Sequence, residues 1–415
     1  MLQQLTTRFR YGGSFAGVML LMLAAASPRA AAEIEYTVTD LPMVSDAFST
    51  IPQAMNDEGV VVGWAQYSGP EFYLRGWRWS ADEGLTLLPP PPGAMSNRYG
   101  ATCINNLGVI GGDGGYDSGQ AWRFENGSYT IVDLLPGLDG SRGPAINSAG
   151  VLVATAFDSQ HFTTPTRALR FTDEEGTAEL FPQYTSSSAQ DINDAGQVSA
   201  GTPPGPARLE PDGSLTFLSF PAGFVAFAPG PINAAGDIAG LAICEHECDQ
   251  AALWTEATGY QMIPPVGTRH AVGGVNDQQE VVGYVEEGVS YAWSWSPSHG
   301  LRYLASLIDP ALTRNVVYAQ DVNNVGQILT ITYDYSANQW RNALLTPLNP
   351  GIAGDLNCDA LVNFGDINPF VLALTDPAAY QQVFPTCSAM NADINGDGNA
   401  DFGDINPFVA LLAGS

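Results

Sequence analysis

Between residues 36 and 347 the apolar residues fall in short alternating or fully apolar runs, broken by Gly, Asn, Asp and Pro. No helical period is sustained anywhere in that span, so the pattern predicts strands. One run returns seven times: AMNDEGVVVG (54–63), CINNLGVIGG (103–112), AINSAGVLVA (145–154), DINDAGQVSA (191–200), PINAAGDIAG (231–240), GVNDQQEVVG (274–283) and DVNNVGQILT (321–330). The repeat asparagines are Asn56, Asn105, Asn147, Asn193, Asn233, Asn276 and Asn323, spaced 40 to 49 residues apart. A period of this length points to a propeller or a solenoid.

Within each copy an apolar residue precedes Asn, and Gly usually follows three positions later. That spacing predicts a tight hairpin turn, with Gly supplying the positive φ. Copy six carries Gln279 in place of Gly, which predicts a distorted turn there. Most copies continue into a second hairpin, such as AWRFENGSYTIVDL (121–134) or ARLEPDGSLTFL (207–218), whose Asn-Gly and Asp-Gly pairs are hairpin signals. Four antiparallel strands per copy is the content of one propeller blade.

The seventh copy ends after NALLTP (342–347), one strand short. YTVTDLP (36–42) matches the fourth strand of copy two, YTIVDLLP (129–136), so the first strand is expected to complete the last blade and remove two sheet edges. The fold expected is all-β, a seven-bladed β-propeller closed by its N-terminal strand over 33–347. A solenoid or another blade number is the alternative. The I-N-x-x-G-x-V-x-G stretch followed by A-W-x-W resembles the extracellular HAF-repeat family of bacteria. That resemblance implies export and a β-propeller-like fold, and no defined reaction.

A different pattern follows the linker LNPGIAG (348–354). The octapeptide FGDINPFV occurs at 364–371 and again at 402–409, each time closing a twelve-residue loop, DLNCDALVNFGD and DINGDGNADFGD. Oxygen-bearing side chains fall at positions 1, 3, 5, 9 and 12 of both. They are Asp355, Asn357, Asp359, Asn363 and Asp366, then Asp393, Asn395, Asp397, Asp401 and Asp404. Leu361 and Asn399 would add backbone carbonyls at position 7. This spacing suits Ca²⁺, a hard cation that takes six to eight oxygens, and predicts two bound ions. Ala360 replaces the sixth-position Gly, which predicts a weaker first site.

A short amphipathic helix is expected after each loop, with Pro369 and Pro407 in its first turn. Its apolar stripe is Ile367, Phe370, Val371 and Leu374, repeated as Ile405, Phe408, Val409 and Leu412. Residues 355–415 thus resemble a type I dockerin, a small α-helical calcium-binding module. The resemblance implies a cohesin-like or cell-surface protein as partner. Phe-Gly stands at 364–365 and 402–403 instead of the usual hydroxyl pair, and 355–415 holds no Lys or Arg.

Composition changes the picture in three ways. Residues 1–32 read as a signal peptide, with Arg8 and Arg10 ahead of the apolar core 15–26 and a small-residue cleavage site at Ala30-Ala31-Ala32; an uncleaved anchor is the other reading. The mature chain, beginning near Glu33, is then expected to be secreted or held at a bacterial cell surface, without a membrane span. It keeps 12 basic residues, all Arg, against 43 acidic ones. That balance excludes nucleic acid as a partner and, with no Lys, excludes Schiff-base chemistry. Export permits disulfides, and the expected pairs are Cys244 with Cys248 and Cys358 with Cys387, leaving Cys103 as a buried thiol.

No nucleophile elbow, HExxH helix or phosphate-binding loop is present, and no catalytic residue is assigned. The candidate ligand-binding residues are Arg98, Arg142, Arg269 and Arg314, each five to nine residues before a repeat Asn, with Tyr99 and His270 beside two of them. On one rim they would suit an acidic polysaccharide. The functional expectation is a secreted, non-catalytic propeller with a calcium-stabilised module for tethering. The alternative is a secreted polysaccharide-active enzyme, a glycoside hydrolase or lyase, carrying the same module.

Overall fold

The computed structural model describes residues 34–415, apart from 69–72, 92–97, 115–118, 161–164, 246–248, 265–266, 268, 287–289, 349–352, 359–360, 385–386, 396–399 and 414–415. The proposed signal segment, Asp359, Asp397, Asn399 and Cys248 lie outside the described residues.

The propeller segment forms seven four-stranded antiparallel blades. Their innermost strands are Ser49–Met55, Arg98–Ile104, Gly140–Ile146, Ser188–Ile192, Ala226–Ile232, His270–Val275 and Arg314–Val322, for blades one to seven. Each runs from an upper face down to its repeat Asn on the lower face. Blade seven takes its outer strand from the start of the chain. Strand Tyr36–Leu41 pairs antiparallel with Gln339–Pro347, from Tyr36 opposite Pro347 to Leu41 opposite Asn342.

The repeat asparagines do more than turn the chain. Each side-chain amide donates to the backbone carbonyl of the Asn in the next blade, at 2.8 to 3.2 Å. The seventh bond, from Asn323 to Asn56, closes the circle. Each Asn Oδ1 also accepts the N–H four residues on, for example Val60 on Asn56 and Val151 on Asn147. All seven are buried, and their amides are satisfied across blades as buried polar groups require.

The turn of copy six is not distorted, contrary to expectation. Gln279 adopts φ 60° and its N–H still donates to the Asn276 carbonyl at 3.1 Å. Its side chain donates to Asp237 at 2.8 Å, an added contact that offsets the left-handed backbone.

The glycine ending the V-x-G of several copies has a steric cause. A Cβ on Gly63, Gly112 or Gly283 would come within 2.1 Å of a carbonyl oxygen on the inner strand. It would also strike the ring of Trp77, Trp122 or Trp293. These tryptophans are fully or almost fully buried. Opposite, all seven inner strands carry a bulge just before the repeat Asn. Bulges re-aim side chains. Here they distinguish the two residues that precede the final Asn turn, which matters for the site.

The core is divided rather than central. Seven apolar clusters occupy the seven blade interfaces, such as Val61, Trp77, Leu329 and Leu344 between blades seven and one. Every blade therefore buries both faces against its neighbours.

The C-terminal residues form helices α1 (Ile367–Thr375), α2 (Pro377–Val383) and α3 (Ile405–Ala413). Phe370 and Phe408 stack at 4.1 Å within their own buried cluster, which includes Leu356, Ala373, Tyr380 and Cys387. α2 was not foreseen, although Asp376-Pro377 is a cap-and-first-turn signal: Asp376 accepts the Ala379 N–H at 3.0 Å. The Cys358–Cys387 disulfide is present. Cys244 is disulfide-bonded, and Cys103 is a free thiol.

Candidate functional site

The upper face is where the four rim arginines lie. Arg98 and Arg314 open their inner strands, Arg142 is third in its strand, and Arg269 immediately precedes His270–Val275. They do not share one environment. Arg314 is held by Asp40 and lies 3.9 Å from Asp334, and both carboxylates also engage Arg341. Arg142 lies over the Phe157 ring at 5.2 Å. Tyr99 is buried in the cluster between blades one and two, and His270 is buried 6.2 Å from Trp293. Those two side chains are packed rather than presented.

A cavity of about 690 Å³ opens where the inner strands of blades one to four converge. Gln53, Thr102 and Gln190 line it, each three residues before a repeat Asn. Arg142, Asp113, Thr155, Thr166 and Ser188 add further polar groups, and Trp64 adds an indole. Of the four rim arginines only Arg142 is among the residues that line it. The sequence reading missed Gln53, Trp64, Thr102 and Gln190. Counting three back from each repeat Asn would have found three of them.

Two residues before the Asn, the channel wall changes character. Asp191 and Asp321 sit here, and so does Cys103. Asp191 accepts the N–H of Ile192 and, across the blade boundary, of Ile232 at 2.9 Å. Asp321 accepts those of Val322 and of Met55 in blade one, also at 2.9 Å. Burial pushes the carboxyls up to about 6 and about 7, and the backbone donors only partly offset it. Burial also raises the Cys103 thiol, and the Asp191 charge adds to it, so this sulfur is a poor thiolate. Cys103 is a free, half-buried thiol rather than the fully buried one expected.

The lower mouth holds a smaller cavity of about 200 Å³, lined by the Asn circle. The residues after each Asn form a second set of links there. Asp57 accepts from Asn324, Asp194 from Ser148, and Asp277 from Ala234. These carboxylates staple blades together.

In the C-terminal segment both loops fold around their last carboxylate. Asp366 is fully buried and accepts the N–H groups of Leu356, Asn357 and Asn363 at 2.8 to 3.0 Å. Asp404, equally buried, accepts those of Ile394, Asn395 and Asp401 at the same distances. The two loops are therefore congruent, with Asp355 also buried. Among the described residues no group of three or more His, Cys, Asp or Glu is set closely enough to hold a metal. The fifth-position carboxylates, Asp359 and Asp397, are not among those residues. The oxygen-only donor set, wrapped about a buried carboxylate, fits a hard cation.

The chain is similar to virginiamycin B lyase from Staphylococcus aureus in a catalytically inactive form with quinupristin. The TM-score is 0.50 at 14% identity, over 75% of this chain and 99% of that one. The fold is a seven-bladed β-propeller. The propeller domain of the Trilobed protease from Pyrococcus furiosus aligns at TM-score 0.47 and 11% identity, over 75% of this chain and 95% of that one. TolB from Acinetobacter baumannii aligns at 0.42 and 14%, over 60% of this chain and 63% of TolB, less than two thirds of its length. No protein-family model matches the chain, and no curated protein matches it. Among the described residues no helix is long and apolar enough to cross a membrane.

Proposed function

We propose that this chain is an exported binding scaffold. Its propeller presents a ligand face around the upper mouth of the channel. Its C-terminal module folds around two Ca²⁺ ions and docks to a protein partner at the cell surface. The observation that carries the docking half is what the repeated octapeptide exposes. Asp366 and Phe370 are buried, as are Asp404 and Phe408, which accounts for only part of the identity. Phe364 is 78% exposed and Phe402 70%, and Ile367, Val371, Ile405 and Val409 are exposed too. Fold maintenance does not require identical apolar residues in water, and such patches mark interaction sites. Two copies of one apolar surface suit a partner that recognises either helix.

Asp355, Asn357, Asn363 and Asp366 would hold the first ion, and Asp393, Asn395, Asp401 and Asp404 the second. Bound Ca²⁺ would supply positive charge that lets these loops stay closed. Binding is favoured over cleavage by the cavity wall, which carries one carboxylate among the described residues, Asp113. Glycoside hydrolysis ordinarily takes a facing pair.

The test uses the full chain on bacterial surface fractions, with and without calcium. Binding should require calcium and should be lost in the Phe364→Ser/Phe402→Ser double variant while the propeller stays folded. Equal retention by the parent in EDTA, or by the double variant, would refute the docking reading.

A further inference from the structure

We propose that the 690 Å³ cavity at the upper mouth is a site for a neutral saccharide. This rests on reading the upper face as a ligand face. The volume lies within the range of cavities that enclose a small ligand. Its chemistry narrows the class.

Trp64 gives the wall one broad apolar surface. Gly100 of the neighbouring blade leaves room for it, since a Cβ there would lie 3.3 Å from the Trp64 side chain. An indole offers a flat partner to the C–H face of a sugar ring. The rest of the wall offers groups that both donate and accept, the Ser188 hydroxyl and the Gln190 amide, which are themselves bonded at 3.1 Å. A sugar hydroxyl does the same, whereas a phosphate or carboxylate only accepts.

Charge points the same way. Among the described residues the lining holds one guanidinium, Arg142, and one carboxylate, Asp113, which accepts the Gly143 N–H at 3.0 Å. Arg314 is committed to Asp40 and Asp334 and is not among the lining residues. With a net charge of −28 on the whole chain, the protein does not draw anions toward this mouth. A phosphorylated or polyuronate ligand would need more cations than one stacked arginine provides.

The experiment titrates the full chain with neutral hexasaccharides of β-1,4-glucan, β-1,4-xylan and β-1,4-mannan. The anionic probes are trigalacturonate and inorganic phosphate, read by calorimetry and tryptophan fluorescence. At least one neutral probe should bind and change the fluorescence, with affinity unaltered between 0.05 and 0.5 M salt. Trp64→Ala should weaken it at least tenfold. Gln190→Trp, at an exposed inner-strand position, should block it by filling the cavity without disturbing the fold. Trp340→Ala, a half-exposed tryptophan outside the cavity, should leave it unchanged.

Binding of trigalacturonate alone, lost in Gln190→Trp, would overturn neutrality while keeping the ligand face. Neutral binding that survives Gln190→Trp would place the sugar elsewhere and overturn the site. No binding by any probe would overturn both the saccharide and the ligand face, whereas the docking half is tested separately through Phe364 and Phe402.

Discussion

Replacing Asn147 by Ala removes one link of the seven-membered circle, and the loss can be worked from its two bonds. The side-chain amide donates to the Asn193 carbonyl at 3.2 Å, and Oδ1 accepts the Val151 N–H at 3.0 Å. The Asn193 carbonyl keeps a second donor, the N–H of Gly196, so its loss is partial. The Val151 N–H has no such substitute in a site that is 4% exposed at Asn147. An orphaned buried donor costs about 1–3 kcal/mol, and a net hydrogen bond about 1 kcal/mol. The expected loss is therefore about 2–4 kcal/mol, read as a lower urea midpoint at unchanged slope. Leu107→Ala, at a 73% exposed position of a neighbouring turn, is the control and should cost under about 0.5 kcal/mol. Asn147→Asp should separate the bonds. It keeps an acceptor for Val151 but sets a carboxylate against the Asn193 carbonyl, an effect relieved when the acid is protonated. If Asn147→Ala costs no more than the control, the circle is a by-product of the turn and not a lock.

Deleting residues 34–41 should lower the melting temperature by at least about 6 °C. Buried Tyr36 and Leu41 contribute roughly 1.5–3 kcal/mol each, at about 2–4 °C per kcal/mol; a variant melting with the parent would refute closure by this strand. Asp321 titrates at about 7 when folded, against an ordinary 3.8, so the folded state holds its proton more tightly. Its contribution is complete below 3.8 and is lost as pH rises through about 7. The propeller should thus melt higher at pH 5 than at pH 8, and Asp321→Asn should flatten that slope; an unchanged slope would show that the carboxyl is already ionised in the fold.

The blade count and the hairpins were legible because each is a local pattern repeated along the chain, and the closing strand because copy seven is one strand short and 36–42 matches 129–136. What Asn does was not. From sequence, N-x-x-G is a turn, and nothing local reveals that the amide reaches a carbonyl some 45 residues away. Gln279 shows the same limit: a left-handed Gln reads as a fault until its bond to Asp237 is seen. Counting places the four arginines at the starts of inner strands, but it cannot see that Asp40, nearly three hundred residues earlier, holds Arg314. Trp64 and Gln190 carry no motif, and they meet only once four blades stand side by side.

The strand that completes blade seven is also the earliest described stretch of chain. Tyr36 must find Pro347, and Asn323 must reach Asn56, so both closing contacts span most of the propeller. Such distant pairings are slow, since the connecting chain must be ordered before they form. As the polypeptide emerges from its N-terminus, the first strand has to wait, edge exposed, while six blades assemble behind it. The aspartate in YTVTDL then serves a second purpose. A charge on that waiting edge disfavours pairing with another copy before its own far end arrives.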